Sequence, residues 1–254
     1  MRKLGVAPTR IQGATGTPTG PSGRHPSALT LGSTGTARRA SSLFYAGDVT
    51  MPGELEAHWD AAYRTLGAEG VSWFQAEPTM SLQMIRTLGI DHSTPIIDVG
   101  GGASSLVDHL VSEGFLDVSV LDLSETALNE GRRRLGTAKA VTWLHEDVLT
   151  WRPPRRFGLW HDRAVFHFLT DEGDRARYLA SISEALEPGS GIVMATFADD
   201  GPEHCSGLPV SRYSVEALFR VLGGRVTLVD ARGELHTTPG GVVQPFTWVA
   251  GVWH

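Results

Sequence analysis

The sequence predicts an α/β domain built on a largely parallel sheet covered by helices on both faces. Three observations carry this. Short, almost wholly apolar runs such as Pro95–Val99 and Gly191–Phe197 recur along the chain. Stretches of helical period separate them, an alternation that belongs to parallel sheets buried on both faces. With 254 residues, 41% of them hydrophobic, the chain is long enough for one large core.

Each element has its own signal. Glu54 to Tyr63 reads as a helix, and Pro78 opens a second that runs to Leu88, since proline suits a helix start. Pro95–Val99 is the first strand. Ser104–Glu113 is a helix with Leu106, Val107, Leu110 and Val111 on one face. Val118–Leu121 is the second strand, and Ser124 caps a helix to Arg134. Ala140–Leu144 and Phe157–His161 are the third and fourth strands. In Asp171–Leu186, Tyr178, Leu179, Ile182 and Leu186 repeat at helical spacing, and Pro188-Gly189 is the expected stop. Gly191–Phe197 is the fifth strand, Ser214–Leu222 a short helix, and Arg225–Asp230 with Phe246–Trp253 a closing pair. Pro245 cannot donate to a ladder, so the last strand is expected to begin at Phe246 after a bulge or bend.

Residues 1–42 differ from the rest. They contain 23 Gly, Pro, Ser or Thr, six basic residues and no acid, without helical or alternating period. The segment 1–50 is expected to be a disordered tail or a misassigned leader, and residues 51–254 the domain. A transit peptide shares the composition but needs an amphipathic helix, which is missing. The remaining chain holds 16 basic against 28 acidic residues, which argues against nucleic acid as a partner. No run approaches a membrane span, and no secretory signal is evident, so the expected location is cytoplasmic. The single cysteine, Cys205, excludes an intrachain disulfide and a Cys-rich zinc site. Arg outnumbers Lys 20 to 2, a bias that points to a GC-rich, bacterial source.

The chemistry begins where the first strand runs into Asp98-Val99-Gly100-Gly101-Gly102-Ala103-Ser104. Glycines there let the backbone approach a ligand, and the next helix presents free N–H groups. A nicotinamide fingerprint needs a third glycine where Ser105 stands. Asp122, 22 residues after Gly100, ends the second strand, where a carboxylate accepts hydrogen bonds from both hydroxyls of a ribose. Asp147, after the third strand, can accept from an adenine amino group, with Leu123 and Val148 offering apolar faces to the ring.

D-x-G-x-G at the first strand, an acid at the end of the second and Glu146-Asp147-Val148 at the third resemble the class I S-adenosylmethionine-dependent methyltransferases. Leu186-Glu187-Pro188-Gly189-Ser190-Gly191 resembles that family's L-x-P-G-G before its fifth strand, with the family's last loop glycine replaced by Ser104. The resemblance implies a Rossmann-like doubly wound sheet, strand order 3-2-1-4-5-7-6 with the last strand antiparallel, and S-adenosyl-L-methionine as cofactor. Asp98, Gly100, Gly101, Gly102, Asp122, Leu123, Asp147 and Val148 are its expected contacts.

Trp59-Asp60-x-x-Tyr63 followed by Trp73-Phe74 is similar to lysine methyltransferases of this class that act on elongation factor 1A and citrate synthase. That likeness implies that Trp59, Tyr63 and Trp73 fold over the cofactor, that Asp162 faces it and that Arg163 borders it. Asp162, His161 and His167 are the candidates for orienting or deprotonating an acceptor. His161 and His167 do not match zinc spacing, so no metal is expected. Asp199–Tyr213, rich in Gly, Pro and functional side chains, reads as a substrate lid carrying Cys205. Leu235–Gly241 reads as a turn resembling the equivalent hairpin of small-molecule thiol and thiopurine methyltransferases. The expected reaction is methyl transfer to nitrogen or sulfur, with a protein lysine as the first acceptor class and a small thiol or amine as the alternative. The sequence leaves the oligomeric state open.

Overall fold

The structure, a computed structural model, describes residues 52–138 and 140–254. The expectation for residues 1–50 lies outside them. Six α-helices are described, with a 3-10 turn at Phe166–Phe168: α1 (Pro52–Leu66), α2 (Thr79–Thr87), α3 (Leu106–Ser112), α4 (Glu125–Leu135), α5 (Glu172–Ala185) and α6 (Val215–Val221). The strands are β1 (Ile96–Val99), β2 (Val118–Asp122), β3 (Val141–His145), β4 (Phe157–Arg163), β5 (Leu186–Phe197), β6 (His204–Cys205), β7 (Leu208–Pro209), β8 (Val226–Thr237) and β9 (Val243–Trp253). Seven strands form one sheet in the order β3-β2-β1-β4-β5-β9-β8, and β6 pairs only with β7. With that small ladder set aside, the order is the expected 3-2-1-4-5-7-6.

The first five strands of the sheet are parallel, and β9 is antiparallel to both β5 and β8. Alternate side chains divide two cores. Ile96, Val118, Val120, Leu159 and Val193 pack under α2, α3 and α4. Ile97, Val99, Trp160, Ile192 and Met194 pack under α5 and α6. Trp160 is fully buried and donates its Nε1–H to Tyr178 at 3.1 Å, so the large ring is sequestered without a lost hydrogen bond. Ser124 caps α4 as expected, its Oγ accepting from Ala127 N at 3.1 Å; Asp171 also caps α5, accepting from Gly173 and Asp174.

Three local expectations need correction. α5 ends at Ala185, and β5 begins at once, so Pro188-Gly189 lies inside the strand rather than stopping the helix. The pairing steps from Phe157↔Leu186 to Leu159↔Gly191, so the strand bulges around the proline. Pro245 lies within β9, opposite Leu235, without a break. Its carbonyl accepts from Ala198 N at 3.0 Å, so its nitrogen faces β5 beyond the last pair, Phe197↔Phe246, where no ladder donor is needed. The irregularity of this pair lies instead between Leu228 and Asp230. Finally, Leu235–Thr237 belong to β8, and the turn begins at Thr238.

β1 and β4 are neighbours whose connections leave in opposite directions along the sheet. That switch point opens a crevice at the carboxyl ends of the strands. α1 and the segment after it close over this crevice: Tyr63 and Val71 pack with Ala103 and Ala127, with Trp73 and Phe74 against them. Among the described residues no helix is long and apolar enough to cross a membrane.

Candidate active site

The turn after β1 is shaped by absent side chains. Gly100 has φ +70°, and a Cβ there would sit 2.1 Å from Val165 Cγ2. Gly102 has φ +37°, and a Cβ would meet Asp122 Oδ2 at 2.6 Å. Both positions therefore require glycine on conformation and on space. Ser105 precedes α3 without a side-chain cap; the neighbouring Ser104 Oγ accepts from Leu106 N at 3.1 Å instead.

Over this turn lies a cleft with about 960 Å³ of space including its open mouth. Asp122, Leu123, Asp147, Val148 and Gly100 line one end; Trp59, Tyr63, Trp73, Phe168, Arg163 and Cys205 line the other. Asp122 Oδ1 accepts from Ser124 N at 2.7 Å. Burial, above all, and the charges of Asp98 and Asp60 push its carboxyl up to about 7, against the Ser124 bond and His145. Asp147 Oδ1 accepts from Leu149 N at 2.9 Å.

A narrower recess continues beneath Trp73, lined by Asp98, Gly100, Gly101, Gln75, Ser81, His161 and Arg163. Asp98 is 2% exposed; its Oδ1 lies 2.7 Å from His161 Nδ1, and its Oδ2 is buried without a hydrogen-bond partner. Arg163 donates Nη1–H to the Trp73 carbonyl at 3.0 Å and lies 4.8 Å over the Phe246 ring. Its Nε and Nη2 are buried without partners.

The aromatic wall is built edge to face. Trp59 meets Trp73 at 5.6 Å and Phe168 at 5.0 Å between centroids, and Trp73 Nε1 donates to Tyr63 at 3.0 Å. Burial raises the Tyr63 phenol above its ordinary range. Cys205 sits beside this wall with its thiol pushed up to about 12 by burial, against the pull of Arg163. It is a packed thiol rather than a nucleophile.

Against this geometry, residues 96–189 match the family described as "Methyltransferase domain". Thiocyanate methyltransferase 1 of Brassica oleracea is 27% identical over 158 residues, covering 59% of this chain and 67% of its own length. A probable thiol methyltransferase 2 of Arabidopsis thaliana is 30% identical over 105 residues, covering 40% and 45%. The chain thus spans about two thirds or less of the curated relatives it matches. In structure it resembles the N-methyltransferase NodS of Bradyrhizobium japonicum, solved with S-adenosyl-L-homocysteine. The TM-score is 0.60 at 15% identity, covering 76% of this chain and 97% of that one. A Burkholderia thailandensis 1,6-didemethyltoxoflavin N1-methyltransferase gives 0.63 at 18% identity, covering 82% and 92%. Residues 96–189 thus carry a methyltransferase-domain match, and the fold is that of S-adenosylmethionine-dependent methyltransferases.

The special nearness to lysine methyltransferases that the N-terminal aromatics implied is not supported, since the relatives named above are thiocyanate and thiol methyltransferases by name. The crevice fits the cofactor of the class. The glycine turn forms a cradle that a Cβ would fill, Asp122 stands beside it, and Asp98 Oδ2 is a buried carboxyl oxygen without a hydrogen-bond partner.

Nine of the expected residues line the large cleft: Trp59, Tyr63, Trp73, Gly100, Asp122, Leu123, Asp147, Val148 and Arg163. Asp98 and Gly101 line the recess below. Of the three side chains expected to handle the acceptor, His161 lines that recess and none lines the large cleft. Asp162 is 0% exposed, with Oδ1 accepting from Val165 N at 2.8 Å and Oδ2 from Phe166 N at 3.0 Å and from the Tyr178 hydroxyl. Its carboxyl, held at about 6 chiefly by burial, fixes the turn that carries Val165 and Phe166. His161 is engaged with Asp98. His167 is 0% exposed against Phe197, its pKa driven to about 3 by burial and by Arg163. All three are buried and engaged with protein groups.

Other residues went unread in the sequence. Asp60 Oδ1 accepts from Ser124 Oγ at 2.6 Å and Thr126 N at 3.1 Å, docking α1 onto the start of α4. Glu234 accepts from Gln75 Nε2 and Trp248 Nε1, both at 2.8 Å, and His236 Nε2 donates to the Ser72 carbonyl at 2.8 Å. Together these hold the covering segment against β8. Asp60 stood inside the W-D-x-x-Y motif, but nothing local marked Glu234.

Proposed function

We propose that this chain transfers a methyl group from S-adenosylmethionine to the sulfur of a small anionic acceptor such as a thiolate. When bound, the cofactor supplies an electrophilic methyl on a sulfonium. Asp122 would hold its ribose hydroxyls, Asp147 its adenine amino group, Leu123 and Val148 its ring faces, and Asp98 Oδ2 its ammonium. Trp59, Tyr63 and Trp73 exclude water from the reacting end and present aromatic faces to positive charge.

The observation that carries the acceptor class is Arg163. It is a buried guanidinium with two nitrogens unpartnered, set among Trp59, Trp73, Phe168 and Cys205. A buried cation of this kind attracts an anion and repels a lysine or ammonium acceptor. A second cation about 4 Å away costs on the order of 4 kcal/mol at an effective dielectric of 20. A sulfur anion needs no general base, so the absence of Asp162, His161 and His167 from the cleft is no obstacle. The thiocyanate and thiol methyltransferases among the relatives support the same reading. It replaces a protein lysine as the favoured acceptor.

The test is steady-state kinetics with hydrosulfide or thiocyanate on the full chain and on Arg163→Met. We expect kcat/KM for the anion to fall about ten- to a hundredfold, the size of one charge-assisted hydrogen bond, with S-adenosylhomocysteine affinity changed much less. Equal rates for both chains would remove Arg163 from acceptor binding. A preference for neutral or cationic amines would overturn the acceptor class.

A further inference from the structure

We propose that Ser81 and His161 form a relay that sets Asp98 as the receptor for the cofactor's ammonium group, with His161 as the positioning residue. This rests on the cofactor reading above and extends it to residues outside the glycine turn. Asp98 on β1 and His161 on β4 are direct partners in the parallel register, so their side chains leave the same face of the sheet side by side. Asp98 Oδ1 lies 2.7 Å from His161 Nδ1, and His161 Nε2 lies 3.0 Å from Ser81 Oγ on α2. All three are buried: Ser81 is 1%, His161 2% and Asp98 2% exposed.

The chemistry of the three groups orders the protons. An ionised carboxylate only accepts, so His161 Nδ1 carries the hydrogen and donates it. In the neutral ring Nε2 then has a lone pair, and the Ser81 hydroxyl donates to it. In that tautomer both hydrogen bonds of the chain point toward Asp98. Oδ1 is thereby fixed, and Oδ2 is left buried without a partner on the recess that Gly100 and Gly101 also line. A buried carboxylate oxygen without a donor is costly, and a primary ammonium in that recess supplies one. The same residue types arranged in this order serve nucleophilic attack elsewhere. Here Ser81 is 1% exposed and its hydroxyl is engaged with His161, so the chain serves placement.

The experiment compares two ligands by titration calorimetry on the full chain. S-adenosylhomocysteine carries the amino acid; 5′-methylthioadenosine keeps the adenosine and thioether without it. We expect His161→Leu to weaken S-adenosylhomocysteine about ten- to a hundredfold and 5′-methylthioadenosine less than about threefold. His161→Asn keeps an N–H in the place of Nδ1–H and should restore most of the difference. Ser81→Ala, a milder change that serves if the leucine variant does not fold, should weaken S-adenosylhomocysteine alone by a few fold. The ¹⁵N shifts of His161 in the free protein should report the neutral Nδ1–H tautomer. Equal weakening of both ligands, no weakening of either, or the Nε2–H tautomer overturns the relay. A wild-type chain that binds neither ligand overturns the cofactor reading and the relay with it.

Discussion

Asp122 and Asp162 are both carboxylates at strand ends with pKa values raised mainly by burial, yet they have different work. Asp122 has one oxygen tied to Ser124 N and lines the cleft. Ribose hydroxyls donate to its charged form, so cofactor affinity should climb as pH rises through about 7 and level off above it. For folding the sign is opposite. The unfolded carboxyl releases its proton near 4, so Asp122 removes stability from the free chain as pH rises from about 4 through about 7. Calorimetry with S-adenosylhomocysteine between pH 6 and 8 should show that slope, and Asp122→Asn should flatten it. Asp162, by contrast, accepts from two backbone N–H groups and a phenol. Asp162→Asn sets an amide donor against these donors and should destabilise the fold by about 2–3 kcal/mol, roughly 5–10 °C in Tm. An unchanged Tm with abolished turnover would instead return Asp162 to the chemistry.

At the scale of elements, the turn between β1 and α3 is the tightest constraint. Gly102→Ala places a Cβ 2.6 Å from Asp122 Oδ2 and 2.9 Å from Ala127 Cβ at a positive φ. Cofactor affinity should fall at least about tenfold, because the carboxylate or the turn must move; unchanged binding measured by calorimetry would place the cofactor elsewhere. This turn was legible because it is local: strand, glycines and helix start are contiguous. The edges of the sheet were not. β8 is an edge strand whose Ala231-Arg232-Gly233-Glu234-Leu235 carries no buried stripe, so nothing in its pattern announced a strand of twelve residues. Pro188 and Pro245 misled for one reason. A proline forbids only the donor on one side of a strand, and here those sides face a bulge and the end of a ladder.

At the scale of the molecule, the sequence made the cofactor half of the crevice legible and the acceptor half much less so. Gly100, Asp122 and Asp147 follow successive strands in fixed order, and any chain of this alternation brings them to one edge. Arg163, Phe168, Cys205 and Glu234 come from β4, the turn after it, β6 and β8, so only the finished fold shows that a buried guanidinium meets an aromatic wall. The same distance hid the pairing of Ser81 with His161. Residues 1–42 are rich in Gly, Pro, Ser and Thr and carry no helical or alternating period. A chain starting at Met51 is expected to melt within about 2 °C of the full chain and to bind S-adenosylhomocysteine equally, checked by scanning and titration calorimetry.

The most direct measurement follows the methyl group itself. The full chain, with Asp122→Ala as blank, is given methyl-tritiated S-adenosylmethionine together with a cell extract and hydrosulfide, and the label is separated into volatile, small-molecule and protein fractions. We predict that label leaves as a volatile methylated sulfur compound, in amounts that drop with Arg163→Met. Label held in a discrete protein band, with none in the volatile fraction, would contradict a small anionic sulfur acceptor and return the enzyme to protein methylation.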